Sequence, residues 1–141
     1  MDPRALTQDY TVSPQIELAD LAEIKAAGYA MVINNRPDGE IPAALHTHQM
    51  RQAAEALGLV YVANPVIGGA LTMANVTAQA EAMAQAKGPV YAYCASGNRC
   101  SILWALMNAG KHPTDDLIAI PARFGYNLEH LRGQIEALSN T

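Results

Sequence analysis

The sequence predicts an α/β domain with a mainly parallel central sheet and helices on both of its faces. Short apolar runs alternate along the chain with segments of helical periodicity, and Gly or Pro separates them at short intervals. The apolar runs lack polar alternation, which is typical of strands buried on both faces of a parallel sheet. Strands joined through helices run in the same direction and require right-handed crossovers.

Four strands are predicted, at residues 10–13, 30–33, 59–62 and 90–93. The first ends before Pro14 and is expected at an edge of the sheet. The other three are each followed by a loop, over residues 34–40, 63–71 and 94–99. In a parallel sheet these loops meet beyond the carboxyl ends of the strands, where ligands bind.

The helices are predicted where apolar residues recur at helical spacing or where helix formers cluster. Gly28 and Gly58 follow the first two and suit helix C-termini. Thr72 or Asn75 is expected to cap the third helix, and Thr114 the fifth. The predicted helices cover residues 16–24, 44–57, 75–87, 101–108, a segment beginning at 114, and 128–138.

Length and composition restrict the class of protein. The chain has 141 residues, half of them hydrophobic, which predicts one domain spanning residues 1–141 with a sizeable core. Its net charge of −4 provides no basic surface for a phosphate backbone, so no nucleic-acid partner is expected. No apolar run approaches the roughly 20 residues of a membrane span, so no membrane partner is expected either.

The ends and the cysteines predict a cytoplasmic location. The N-terminus carries Asp2 and no apolar run, so it does not read as a secretory signal. Cys94 and Cys100 are only six positions apart and do not form a disulfide framework. A reducing compartment is the simplest expectation, and it suits chemistry that depends on a free thiol.

The strongest chemical signal is Tyr93-Cys94-Ala95-Ser96-Gly97-Asn98-Arg99, which joins a buried strand directly to a helix. The first N–H groups of a helix have no intrahelical partner and its dipole is positive there, so such an end binds anions. Gly97 allows the backbone to curl, so that successive N–H groups point inward. The same field lowers the pKa of a thiol at Cys94. This segment is called the cysteine loop below.

Arg99 completes this predicted site with a planar fork that suits phosphate or sulfate oxygens. A thiolate, oriented N–H donors and an arginine are the groups required to transfer a phosphoryl or sulfur group. The alternative is that Cys94 is an inert, buried cysteine at a strand end. The polar and electropositive neighbours favour the functional interpretation, because reactive cysteines occur in such surroundings.

Several segments together resemble a bacterial family, the beta-lactamase hydrolase-like proteins, phosphatase-like domain. They are residues 32–40 with Asn-Arg-Pro-Asp-Gly-Glu, 56–62, 64–66, 88–99 with Cys-x-x-Gly-x-Arg, and 101–105. The resemblance runs from about residue 10 to 131 and implies a fold like the dual-specificity tyrosine phosphatases. It implies Cys94 as nucleophile, Arg99 as anion clamp, and the amides of residues Ala95, Ser96, Gly97, Asn98 and Arg99 as anion cradle.

Two departures from the tyrosine phosphatase pattern keep a second chemistry open. Those enzymes place five residues between cysteine and arginine, whereas four separate Cys94 from Arg99, and Cys100 stands where their arginine would be. The shorter spacing is similar to that of rhodanese-type sulfurtransferases, whose loop holds a persulfide sulfur. In addition, Tyr93 precedes the cysteine where phosphatases usually carry histidine.

A phosphatase also needs a general acid for the leaving oxygen. In dual-specificity enzymes an aspartate comes from the loop that here reads Val66-Ile67-Gly68-Gly69-Ala70, which contains no acid. Asp38 is the preferred substitute and Glu40 the second, although Asp38 in Pro-Asp-Gly also suits a simple turn. Arg36 is a candidate second anion contact, with a solvated surface charge as the alternative.

The other residues considered for a functional role are better explained by ordinary structural roles. Cys100 is expected to be a packing residue, with protection of Cys94 through an oxidative disulfide as the alternative. His46 and His48 lack a matching ligand pattern, so no metal site is predicted. Gly68-Gly69 lacks the dinucleotide pattern, and no cofactor is expected.

The leading hypothesis is a cysteine-dependent phosphatase-like hydrolase that acts on a small phosphorylated molecule or a phosphoprotein. One alternative is a sulfurtransferase or persulfide-handling protein whose partner is a sulfur compound. Another is a catalytically weak module that binds phosphorylated ligands, which the missing acid favours. The sequence does not indicate which oligomeric state the protein adopts.

Overall fold

The strands of the computed structural model, which describes residues 1–140, form one five-stranded sheet in the order β1-β2-β5-β3-β4. They are β1 (Arg4–Ala5), β2 (Tyr10–Ser13), β3 (Met31–Asn34), β4 (Val60–Ala63) and β5 (Val90–Tyr93). Strands β2 to β5 pair in parallel, and β1 is antiparallel to β2. The predicted α/β fold with a mainly parallel sheet is confirmed.

The first predicted strand is not at an edge of the sheet, because β1 pairs with its free side. The chain turns back between them, and the N–H groups of Leu6 and Thr7 both donate to the Tyr10 carbonyl, at 3.0 and 3.2 Å. All four residues of β2 are buried, as expected for an internal strand. A two-residue strand has no sequence periodicity, so β1 left no signal.

Six α-helices connect and cover the strands. They are α1 (Asp20–Ala26), α2 (Thr47–Ala56), α3 (Met73–Gln85), α4 (Asn98–Met107), α5 (Thr114–Ala122) and α6 (Arg132–Ser139). The Thr72 hydroxyl accepts a hydrogen bond from the Asn75 N–H, and the Asn75 side chain accepts one from the Thr72 N–H, so the predicted cap of α3 is confirmed. No helix of the described residues is long and apolar enough to cross a membrane.

Several predicted helix starts differ from the structure. Helix α1 begins at Asp20 instead of residue 16, and α6 begins at Arg132 instead of residue 128, after a 3₁₀ turn over Glu129–Leu131. The segment predicted as one helix over residues 44–57 begins with a short 3₁₀ turn, Ala43–Leu45, and extended backbone at His46 separates this turn from α2. Pro113, not Thr114, occupies the cap position of α5. Helix α4 begins at Asn98, three residues before the predicted start, because the cysteine loop turns directly into it.

Apolar residues cover both faces of the sheet. On one face α1 and α2 bury a cluster that includes Leu21, Met50 and Tyr91. On the other, helices α3 to α6 bury a larger cluster around Leu103 and Leu117, which also contains both cysteines. Successive residues of a strand point to opposite faces, so Tyr93 belongs to the first cluster and Cys94 to the second.

Candidate active site

The predicted convergence of loops is present at the carboxyl edge of the sheet. The N–H of Asn35 donates to the Tyr93 carbonyl at 2.8 Å, and the N–H of Asn64 donates to the Asn34 carbonyl at 2.9 Å. The N–H of Val66 then donates to the Asn35 carbonyl at 2.9 Å. The loops after β3, β4 and β5 are therefore hydrogen-bonded to one another, and the loop after β3 lies between the other two.

Gly97 produces the sharp turn by which the cysteine loop enters α4. It is the N-cap residue of the helix and has the left-handed φ of 95°, which residues with a Cβ rarely adopt. This conformation aims the Gly97 N–H at the Cys94 sulfur, with 3.1 Å between nitrogen and Sγ. The thiol therefore lies at the N-terminal end of α4, as the sequence predicts.

The surroundings of Cys94 favour its thiolate. Its pKa falls from 9.0 to about 5, chiefly through a hydrogen bond from the Cys100 thiol. The backbone N–H groups of Cys100, Ser96 and Gly97 add to this effect, and burial opposes it. Cys94 has no solvent-exposed surface, so a reaction partner reaches the sulfur only if groups at the mouth of the site move.

Cys100 donates a hydrogen bond to the Cys94 sulfur as well as packing in the core. Both cysteines are free thiols, and burial beside the Cys94 thiolate raises the pKa of Cys100 well above its ordinary value. Cys100 therefore keeps its proton at neutral pH and presents it to Cys94. A hydrogen bond to a charged group is worth about 1.5–3 kcal/mol, so removal of this donor should change the pKa of Cys94 measurably.

Replacing Cys100 by alanine is expected to raise the pKa of Cys94 by about one to two pH units, because the thiolate loses its principal side-chain donor. Cys100→Ser retains an O–H donor at this position and is expected to stay close to the wild type. Thiolate absorbance in the ultraviolet, titrated between pH 4 and 9, measures both variants. Equal titration curves for the alanine and serine variants would contradict a donor role for Cys100.

Arg99 lies in the first turn of α4 and contacts groups from two neighbouring loops. Its Nη1 donates to the Val66 carbonyl at 2.8 Å and to Glu40 Oε2 at 2.9 Å. Its Nη2 donates to Glu40 Oε1 at 2.8 Å, so the pair is bidentate. Glu40, with a smaller contribution from the Cys94 thiolate, raises the pKa of Arg99. The guanidinium is therefore held between the carboxylate and the sulfur.

Arg36 approaches the same carboxylate from a second side. Its Nε donates to Glu40 Oε1 at 3.2 Å and its Nη2 to the Glu40 carbonyl at 3.2 Å, while Nη1 donates to Gln15 Oε1 at 3.3 Å. The Gln15 N–H in turn donates to the Ala95 carbonyl at 3.4 Å. The structure thus places Arg36 beside the site, with Glu40 between it and Arg99.

Asp38 contacts a helix rather than the cysteine loop. Its Oδ1 accepts hydrogen bonds from the backbone N–H and the hydroxyl of Thr47, at 2.9 and 3.0 Å, at the start of α2. It also borders a cavity formed by Thr47, Pro65, Ile67 and other residues, which Arg99 does not line. Asp38 and Glu40 lie in one 3₁₀ turn, Asp38–Glu40, yet engage different partners.

Tyr126 supports the outer side of the cysteine loop and was not predicted. Its hydroxyl donates to the Ser96 carbonyl at 2.7 Å and accepts from Arg4 Nη1 at 2.6 Å. The Arg4 guanidinium also lies over the tyrosine ring, 5.4 Å from its centroid. Space for this hydroxyl exists because residue 97 has no Cβ. Tyr126 is 30 residues from Ser96, so no local pattern could indicate the contact.

A buried polar network supports the inner side and was also not predicted. Gln79 of α3 is fully buried, and its Nε2 donates to the Tyr10 hydroxyl at 3.0 Å and to Asn35 Oδ1 at 2.9 Å. Its Oε1 accepts from the amides of Asn35 and Asn64. The Tyr10 hydroxyl donates to the Cys100 carbonyl at 2.9 Å. Helix α4 is thereby fixed to the two neighbouring loops by satisfied buried hydrogen bonds.

Tyr93 does not replace the histidine that precedes the cysteine in tyrosine phosphatases. Its side chain points to the opposite face of the sheet, where its hydroxyl lies 2.6 Å from the Tyr61 hydroxyl. Burial raises the pKa of Tyr93, so it remains a neutral phenol. Ionisation of Cys94 therefore relies on Cys100, the loop amides and Arg99.

A cavity of about 530 Å³ opens beside the cysteine loop. Its polar side is formed by Glu40, Ser96, Asn98 and Arg99, and its apolar side includes Ile102 and Leu131. Within residues 1–140, no group of three or more His, Cys, Asp or Glu side chains is arranged to hold a metal ion. The site therefore places the Arg99 guanidinium at the edge of a cavity, with the Cys94 sulfur and the helix-end amides buried behind it.

The fold is of the cysteine-phosphatase-like class, and comparison with solved structures agrees. A Neisseria meningitidis protein described as a phosphatase candidate superposes with a TM-score of 0.81 and 32% identity, over 95% of this chain and 96% of that one. A second candidate phosphatase, from Shewanella putrefaciens, has 22% identity and a TM-score of 0.75, over 98% of this chain and 86% of that one, and shows the fold alone.

The family model for beta-lactamase hydrolase-like protein, phosphatase-like domain, matches residues 2–111, and the chain belongs to this family. A beta-lactamase hydrolase-like protein of Agrobacterium fabrum strain C58 is 34% identical over 125 residues, which cover 87% of this chain. The match covers 29% of that protein and 29% of its Xylella fastidiosa counterpart. The chain thus spans less than a third of the length of these relatives.

Proposed function

We propose that residues 1–141 act as a single phosphatase-like domain that hydrolyses phosphate monoesters through Cys94. The observation that carries this proposal is the pKa of about 5 for Cys94 at the N-terminus of α4, where Arg99 lies beside the sulfur. A thiolate is the nucleophilic form of cysteine, and at this pKa it predominates at neutral pH. Membership of a phosphatase-like family supports the choice of phosphorus as the target.

In the proposed reaction the Cys94 thiolate attacks phosphorus, and the bond from phosphorus to the leaving oxygen breaks. Arg99 and the amides of residues Ala95 to Arg99 stabilise the equatorial oxygens, which carry the negative charge of the transition state. Arg36 adds positive charge at the rim. Water then hydrolyses the phosphocysteine and regenerates the thiolate. This reaction requires no metal or organic cofactor, and a reducing cytoplasmic setting would keep the thiol free.

Asp38 is the proposed acid that protonates the leaving oxygen, through the oxygen that Thr47 does not engage. Asp38→Asn is expected to slow hydrolysis of alkyl phosphates by about 10²-fold, because their leaving groups need a proton. Hydrolysis of nitrophenyl phosphate, whose leaving group is already a weak base, should slow much less. Equal losses across a leaving-group series would show that Asp38 serves only to cap α2.

A second candidate function is sulfur transfer, with a persulfide on Cys94. It is favoured by the spacing of four residues between Cys94 and Arg99 and by the amides that point at the sulfur itself. A persulfide adds one sulfur atom, which needs a smaller cradle than a tetrahedral phosphoryl group. A third candidate is a module that binds phosphorylated ligands without turnover.

Parallel assays of the purified protein separate the three functions. Release of nitrophenolate from nitrophenyl phosphate is the result expected for the leading proposal. Formation of thiocyanate from thiosulfate and cyanide, without phosphatase activity, would instead support sulfur transfer. No product in either assay, together with tungstate binding in calorimetry, would support the binding module and overturn both enzymatic proposals.

A further inference from the structure

The Glu40 carboxylate binds the guanidinium of Arg99, which the proposed reaction needs for the substrate. Both of its carboxylate oxygens accept hydrogen bonds from Arg99, and Oε1 also accepts from Arg36 Nε. These two arginines are the charged groups that face Glu40, and they hold its pKa below the ordinary value, with Arg99 having the larger effect. Glu40 is therefore an ionised internal anion at the mouth of a site built for anions.

An incoming phosphate competes with Glu40 for this edge of the guanidinium. A planar guanidinium offers one bidentate edge to each oxyanion, and the same Nη1 and Nη2 atoms now bind Glu40. When a phosphoryl group takes the Nη1–Nη2 edge of Arg99, the carboxylate leaves that edge but stays tethered to its 3₁₀ turn. It is then a free carboxylate next to the reacting phosphorus.

Water can reach the Glu40 carboxylate in the cavity beside the cysteine loop. The Glu40 side chain keeps 34% of its surface exposed, and Glu40 lines the cavity beside the cysteine loop together with Ser96, Asn98 and Arg99. It is the sole carboxylate among the lining residues of that cavity. Asp38 borders a different cavity, formed with Thr47 and Pro65. The two acidic residues of the turn are thus separated in position.

We propose that Glu40 is the base of the second step, in which water attacks the phosphocysteine. This inference rests on the proposed phosphatase function. Displaced from Arg99, the carboxylate accepts a proton from water while the water oxygen bonds to phosphorus and the Sγ–P bond breaks. The electron pair of that bond returns to Cys94 as thiolate, and the products are hydrogen phosphate and protonated Glu40. The acid then loses its proton to solvent and rebinds Arg99, which helps to expel phosphate.

Pre-steady-state kinetics of Glu40→Gln with nitrophenyl phosphate tests this role. Formation of phosphocysteine should remain fast and give a burst of about one equivalent of nitrophenolate. Steady-state turnover should fall by about 10²-fold, the effect expected for loss of a general base. Intact-protein mass spectrometry during turnover should show the variant carrying one phosphoryl group. Because glutamine is a weaker competitor for Arg99, tungstate should bind the variant about fivefold more tightly in calorimetry.

Glu129→Gln is the matched control, because Glu129 forms a comparable pair with Arg132 and neither residue lines the cavity beside the cysteine loop. It should leave the burst, the turnover and tungstate affinity unchanged. A lost burst with weaker tungstate binding to Glu40→Gln would overturn the proposal and make Glu40 a residue that merely positions Arg99. Unchanged turnover of Glu40→Gln would overturn it while the phosphatase function stands. No nitrophenolate from the wild type would overturn the phosphatase function itself, and the base role with it.

Discussion

Cys94→Ser is expected to abolish hydrolysis of nitrophenyl phosphate, with a loss of at least about 10³-fold in kcat, while the protein remains folded. Removal of a nucleophile costs this much or more in enzymes that form a covalent intermediate. A serine hydroxyl at this position stays protonated near neutral pH, whereas the cysteine has a pKa of about 5. The hydroxyl still offers an acceptor to the Gly97 N–H, which donates to Cys94 Sγ at 3.1 Å.

Binding should survive this substitution even though turnover does not. Arg99 and the loop amides are unchanged in Cys94→Ser, and the negative charge of the thiolate is removed, so tungstate should bind at least as tightly as to the wild type. Circular dichroism and thermal unfolding verify the fold, and Cys100→Ser is the control for loss of a thiol nearby. Activity within tenfold of the wild type would contradict a nucleophilic role for Cys94.

The pH dependence of kcat/KM offers an independent check on the same residue. The folded-state pKa of Cys94 is lowered to about 5, so the thiolate fraction rises with pH, reaches one half at that pKa and is nearly complete at neutral pH. The acidic limb of kcat/KM, which reports ionisations of the free enzyme, should follow this rise. In Cys100→Ala the same limb should move to higher pH, in parallel with the thiol titration.

The sequence predicted the parts of this protein that have local signals. Three uninterrupted apolar runs, at residues 30–33, 59–62 and 90–93, indicated a buried parallel sheet, and Gly97 between Cys94 and Arg99 indicated a strand that turns into a helix. Both features depend on residues within a few positions of each other. The convergence of three loops followed from topology alone, since parallel strands end at one edge.

The contacts that support the site have no such signal. Tyr126 binds the Ser96 carbonyl across 30 residues, and Gln79 binds the Tyr10 hydroxyl across 69. The sequence ranked Asp38 above Glu40 as the acid, but it could not show which of them contacts Arg99, because they are two positions apart in a 3₁₀ turn and face different partners. Only side-chain geometry shows that Glu40 is the carboxylate on Arg99.

Gly97→Ala is expected to destabilise the protein by about 2–5 kcal/mol and to remove most activity. Two costs combine: a left-handed φ costs a residue with a Cβ about 1–2 kcal/mol, and insertion of a methyl group into a packed site costs about 1–3 kcal/mol. The φ of Gly97 is 95°, and a Cβ there would collide with the Tyr126 hydroxyl. Chemical denaturation measures the loss of stability, and nitrophenyl phosphate hydrolysis measures the loss of activity.

Gly28→Ala separates the two costs, because Gly28 has a similar φ of 98° and no atom within 4 Å of its Cβ position. Gly28→Ala should lose only the stability that the left-handed φ costs, about 1–2 kcal/mol, and should keep full activity. Combining Gly97→Ala with Tyr126→Phe should recover part of the stability, since the colliding hydroxyl is gone. Equal losses of stability for Gly28→Ala and Gly97→Ala would mean that Tyr126 does not press on the loop. The activity loss of Gly97→Ala would then come from the misdirected Gly97 N–H alone, visible as a raised pKa of Cys94.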